Sequence, residues 1–155
     1  MLRSIGFLII CATFALAQDH HAAVAEQGDH IMGFSHEKTM HHFELHYDGG
    51  VIDVRANDVK DTESRNEIRS HLRHIARMFT KGNFNAPMLV HDRRDVPGTA
   101  VMSRLKDQLH WKISETARGA RLTVVADNRP AIDAIHEFLR FQVEDHQTGD
   151  CPMVH

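Results

Sequence analysis

The chain has 155 residues, about one domain's worth, with a net charge of −3, 42% hydrophobic and 25% charged residues. Those figures fit a soluble globular domain and exclude collagen-like, coiled-coil or disordered classes. No basic stripe is present, which argues against nucleic-acid binding. The unusual figure is 14 His. Imidazole is the commonest protein metal ligand and titrates near neutral pH, so composition points to metal chemistry without naming a reaction.

The chain opens with Arg3 and an apolar stretch over 5–16. That is shorter than the roughly 20 residues a membrane span needs and reads as a secretory signal peptide. Ala15-Leu16-Ala17 predicts cleavage after Ala17, a mature chain beginning at Gln18, and a periplasmic or secreted location. Cys11 would leave with the signal, so Cys151 remains alone and no internal disulfide forms. The expected organisation is 1–17 signal peptide, 18–38 His-rich leader, 39–148 a single domain, and 149–155 a tail. A short leader helix is expected over 22–27, ended by Gly28, with Gly33 and Ser35 in loop.

Phe43, Leu45 and Tyr47 alternate along a strand, and Asp48-Gly49-Gly50 is a turn signal. With Gly49-Gly50 as the loop, Tyr47 pairs with Ile52 and Leu45 with Val54. The other face then pairs His46 with Asp53 and Glu44 with Arg55. A helix is predicted over 61–80, capped by Asp61 or Thr62, with Ile68, Leu72, Ile75 and Phe79 as its core stripe. Residues 86–91 read as a strand, 92–98 as a loop and 99–108 as a shorter helix.

A second hairpin follows, with Arg118-Gly119 at its turn, pairing Ile113 with Val124 and Trp111 with Ala126. The last helix spans 128–148, with Asn128 as cap, Pro130 in the first turn and Gly149 as stop. The predicted order is ββαβαββα. It implies a mostly antiparallel sheet with helices packed on one face, an α+β fold.

Two stretches, Met32-Gly33-Phe34-Ser35-His36-Glu37-Lys38-Thr39 with His41-His42-Phe43, and 136–146 (HEFLRFQVEDH), resemble a family of small secreted bacterial proteins of unknown function. The resemblance runs from about Gln27 to Asp150 and implies no assigned site. Proteins of this type are sometimes labelled aspartate carbamoyltransferase. The present sequence does not support that label. It lacks the Ser-Thr-Arg-Thr phosphate loop of the catalytic chain, and one mature Cys cannot form the four-Cys zinc site of the regulatory chain.

Several constellations carry metal chemistry. Cleavage after Ala17 would give Gln18-Asp19-His20, whose amine, two backbone amides and imidazole close a square-planar site suited to Cu(II) or Ni(II). The plain alternative is a His in a disordered leader. His42, Glu44 and His46 share one strand face and offer two nitrogens and a carboxylate to zinc or copper; ordinary cross-strand pairing satisfies the same residues. His136 and His146 lie on the stripe of Ile132, Ile135, Leu139 and Val143, about 15 Å apart along the axis, too far to share a metal. His71, with His74 and Met78, forms a soft-metal edge or, more plainly, a satisfied core margin. His91 ends its segment beside Asp92. Cys151, Met153 and His155 are soft donors for Cu(I) or a frayed end.

No Gly-x-Ser-x-Gly elbow, His-Glu-x-x-His motif, phosphate loop or dinucleotide fingerprint is present. The leading expectation is therefore an exported metal-binding protein, with copper ahead of nickel and zinc, acting by binding, buffering or delivery. The alternative is a metal-free module that dimerises or docks through Phe138 and Phe141, and a third is a small His-dependent hydrolase. The expected partners are a metal ion and a protein or second copy, with no nucleic acid and no membrane span in the mature chain.

Overall fold

The computed structural model describes residues 28–155. The expected signal peptide, the helix expected over 22–27 and the proposed Gln18-Asp19-His20 site lie outside these residues. Four strands, β1 (Thr39–His46), β2 (Gly49–Ala56), β3 (Leu109–Glu115) and β4 (Gly119–Ala126), form one antiparallel sheet in the order β1-β2-β4-β3. The helices are α1 (Thr62–Thr80), α2 (Asn85–Val90), α3 (Thr99–Arg104) and α4 (Arg129–Asp145), with short 3-10 turns at His36–Lys38 and Lys106–Gln108. The fold is α+β. Among the described residues no helix is long and apolar enough to cross a membrane.

Helix α1 begins where Asp61 accepts from the backbone N–H of Ser64, and it buries Ile68, Leu72, Ile75 and Phe79 at helical spacing. Helix α4 begins where Asn128 accepts from the N–H of Ala131, with Pro130 in its first turn. Both helices lie across the sheet. Between them and the sheet sits an aromatic centre, where Phe79 contacts Phe84, Trp111 and Phe138. Phe34, ahead of β1, is also buried in this core.

Four expectations are corrected. Residues 86–91 are not a strand: Asn85–Val90 is helical. Asn83 Oδ1 accepts from the N–H of Asn85 at its start, and Pro87 falls in the first turn, where a missing N–H costs no hydrogen bond. A short apolar run does not distinguish buried strand from buried helix.

The first hairpin turns at Tyr47-Asp48, so His46 pairs with Gly49 and Leu45 with Gly50. This register is displaced by four from the expected one. Glycines that look like a turn instead sit inside β2, because their neighbours leave no room for a side chain. A Cβ on Gly49 would overlap the carbonyl of Val124, and one on Gly50 would meet Leu139 and the carbonyl of Glu44. The displacement is even, so Phe43, Leu45, Ile52 and Val54 keep the core face, while Tyr47 becomes an exposed turn residue.

The second hairpin turns at Ala117-Arg118 and pairs Ile113 with Leu122 and Trp111 with Val124, two residues from the expected register. The fourth correction concerns Gly28, which does not end a helix. Gly28 is itself helical: residues 28–32 form a helix that stops at Gly33, whose φ of +76° suits glycine.

Candidate functional site

On the helical side of the sheet, four imidazoles from four places in the chain line one cavity of about 70 Å³. His41 comes from β1, His71 from α1, His91 from the residue after α2, and His146 from the residue after α4. Met32, Phe43 and Gln142 line the wall with them, and the rest of the lining is apolar, including Ile52, Leu72 and Phe79. Alternation along β1 puts His41 on the same face as Phe43 and Leu45. Helical spacing puts His71 beside Leu72 and Ile75 at the core margin.

The rings pack as a connected set. His41 stacks on His146 with centroids 5.3 Å apart and planes 11° apart. His146 meets His91 edge-on at 4.9 Å. Phe34 stacks against His41 at 5.9 Å and meets His71 edge-on at 5.5 Å. Burial pushes the pKa of His41 down from 6.5 to about 4, helped by its neighbours His71 and His42. Burial does the same to His71, helped by His74. Both rings are therefore neutral at physiological pH, each with one nitrogen free of a proton.

His91 is the most enclosed of the four at 1% exposure. Its Nδ1 lies 2.6 Å from Asp145 Oδ2 and its Nε2 3.1 Å from Gln142 Oε1, so both ring nitrogens have a partner. A carboxylate on one ring nitrogen fixes both the tautomer and the direction of the other. Among the described residues, no Ser, Thr or Cys lines the cavity.

The other predicted site residues are distributed elsewhere. His136 is buried in α4, and its Nε2–H is shared between the carbonyls of His46 (2.8 Å) and Gly49 (3.1 Å). It closes the end of the first hairpin and does not reach the cavity lining. His42, Glu44 and His46 occupy the opposite face of β1. There His42 donates to Asp150 at 2.9 Å, Glu44 accepts from Arg121 at 3.1 Å, and His46 lies 3.3 Å from Glu44. The expected Glu44–Arg55 and His46–Asp53 pairs do not form. The displaced register puts His42 opposite Asp53, which instead binds Arg55 and Arg121. Among the described residues, no three His, Cys, Asp or Glu side chains stand together as a preformed metal cage.

His74 and Met78 flank His71 on α1, His74 exposed and Met78 partly buried on the core. Phe138 and Phe141 do not form an outer docking face, because both are buried. Phe138 joins the aromatic centre, and Phe141 packs edge-on to His91 beneath Arg93. The tail is docked along the sheet. Asp150 accepts from the N–H of Phe43, Val154 bridges Leu45, and the N–H of His155 donates to the carbonyl of Leu45. Cys151 and Met153 are exposed between those anchors.

Two cavity residues, His41 and His91, stand outside the ligand set proposed from sequence. Strand alternation placed His41 away from His42, Glu44 and His46, but only the tertiary fold shows what it faces. Met32, His41 and Phe43 line one side of the cavity, and Gln142 and His146 another. No protein-family model, curated protein or solved structure matches the chain.

Proposed function

We propose that the protein is an exported metal-binding protein that holds copper in the imidazole-lined cavity. His41, His71 and His146 serve as nitrogen donors and Met32 as a soft donor at the rim, while His91, held by Asp145 and Gln142 through its two ring nitrogens, forms part of the wall. The observation that carries this reading is the convergence of four imidazoles on one cavity, two of them kept neutral by burial. Sites for drug-sized molecules run to roughly 300–1,000 Å³. A cavity of about 70 Å³ suits an ion with a water or two better than an organic substrate. Imidazole with thioether favours copper over the harder divalent metals. Binding requires the stacked rings to turn their nitrogens inward, so metal uptake and ring rearrangement are coupled. The role is binding, buffering or delivery.

The test is titration of purified, metal-free mature protein with Cu(I) under anaerobic conditions against a chromophoric chelator. One copper per folded chain is expected, with at least tenfold weaker binding in His71→Ala and in His41→Phe. A site at Gln18-Asp19-His20 would behave differently, binding Cu(II) in urea and losing it in His20→Ala. Undiminished Cu(I) affinity in both cavity variants would overturn the assignment.

A further inference from the structure

The two edges of the sheet are treated differently. The β1 edge is covered by the C-terminal tail through the Leu45–Val154 bridge and the His155 N–H. Among the described residues, β3 pairs with β4 on one side only. In an antiparallel strand every second residue turns its N–H and C=O away from its partner, so β3 presents a row of backbone groups ready to pair with another strand.

Beside that edge runs a groove of about 370 Å³ between β3 and α1. Ala76, Trp111 and Ile113 form its apolar floor, and Arg73, Arg77 and Lys81 stand along its helical wall. Arg73 is engaged by Glu115 at 2.7 Å. No carboxylate among the described residues pairs with Arg77 or Lys81, and both are exposed. A lysine on an edge strand, as at Lys112, is a usual guard against self-association. Arg77 and Lys81 do not lie on the strand, and they flank a floor that includes an indole.

We infer that this groove receives an extended acidic peptide segment, which adds to the sheet along β3 and places carboxylates against Arg77 and Lys81. An edge strand beside a helix is a known geometry for strand addition, with main-chain hydrogen bonds supplying affinity and alternate side chains supplying specificity. A strand with Glu at every second position lays its methylenes over Trp111 and Ile113 and carries its carboxylates to the cationic wall. A second copy of this chain is the wrong occupant, because pairing β3 with β3 would bring Arg77 and Lys81 of both copies together. This inference is independent of the copper reading.

Trp111 is the chain's one tryptophan and reports directly on the groove. The full mature chain is titrated with the blocked peptide Val-Glu-Val-Glu-Val and with its Lys counterpart, following indole emission at low salt and again at higher salt. Saturable binding of the Glu peptide is expected, weakened by salt, at least tenfold tighter than the Lys peptide, with slowed exchange of alternate β3 amides. Arg77→Glu with Lys81→Glu should remove that preference; if this pair perturbs the fold by circular dichroism, Arg77→Gln with Lys81→Gln serves instead. No saturable change in Trp111 emission, equal binding of both peptides, or an unchanged preference in the folded variant would overturn the inference.

Discussion

The ring of His41 lies flat on the ring of His146, 5.3 Å between centroids and 11° from parallel. One comes from the first strand and the other from the end of the last helix, so the contact closes the fold across nearly its whole length. It also couples the fold to pH, because protonating His41 would put a charge among His71, His42 and the stacked ring.

That coupling has a definite sign. His41 and His71 have folded pKa values of about 4, below the ordinary imidazole value of 6.5. The unfolded chain therefore binds more protons between those values, and stability rises with pH. The contribution is whole above about pH 6.5, drains as pH falls towards 4, and is absent below that. At about 1.4 kcal/mol per pH unit, each ring accounts for at most about 3.5 kcal/mol. Urea unfolding of metal-free protein at pH 7.5 and pH 4.5 should show this loss, and His41→Gln should make it smaller. An equal loss in both proteins would remove His41 from the account.

His136 donates to two carbonyls at the hairpin end while 4% exposed. His136→Ala strands both acceptors and opens a void, and should cost roughly 1–3 kcal/mol. A surface His such as His30 should cost under about 0.5 kcal/mol when replaced. Equal effects at the two positions in denaturant melts would contradict the burial of His136.

Gly49 is predicted to resist any side chain. A Cβ there would overlap the Val124 carbonyl across the β2–β4 pair. Gly49→Ala should lower stability by roughly 1–3 kcal/mol, the usual range for overpacking. Gly149→Ala, where nothing lies near the added carbon, meets only the strain of φ +74°. Thermal melts that rank Gly149→Ala as the more damaging change would count against the register described for β2.

Asp53 is 1% exposed and accepts from both Arg55 and Arg121. Burial pushes its carboxyl up, but the two guanidinium groups outweigh burial and hold it below the ordinary carboxylate range. Asp53→Asn should cost roughly 2–4 kcal/mol, near the lower end for a broken buried pair because both arginines keep about a third of their surface in solvent. Its contribution is present above the ordinary carboxylate pKa and lost as pH falls below it. Comparing wild type and Asp53→Asn by urea melts at pH 7 and pH 3 should show the difference shrinking in acid.

Local physics was sufficient for much of this protein. The stripe of Ile68, Leu72, Ile75 and Phe79, the Asp61 and Asn128 caps, the inward alternation of Phe43 and Leu45, and the α+β class all follow from periodicities of 3.6 and 2 and from orphan N–H groups at helix starts. Where local and tertiary demands competed, only the folded structure decided. Gly49-Gly50 is a good turn by itself, but it lies in β2 because the Val124 carbonyl and Leu139 come too close for a Cβ. Residues 85–90 satisfy both a strand and a helix pattern locally, and a helix is what forms. The cavity was least legible. His41, His71, His91 and His146 are separated by 20 residues or more along the chain, and no spacing rule links four positions on four elements. Strand and helix periodicity determine which way a side chain points from its own element; which elements then face one another depends on packing the whole core at once.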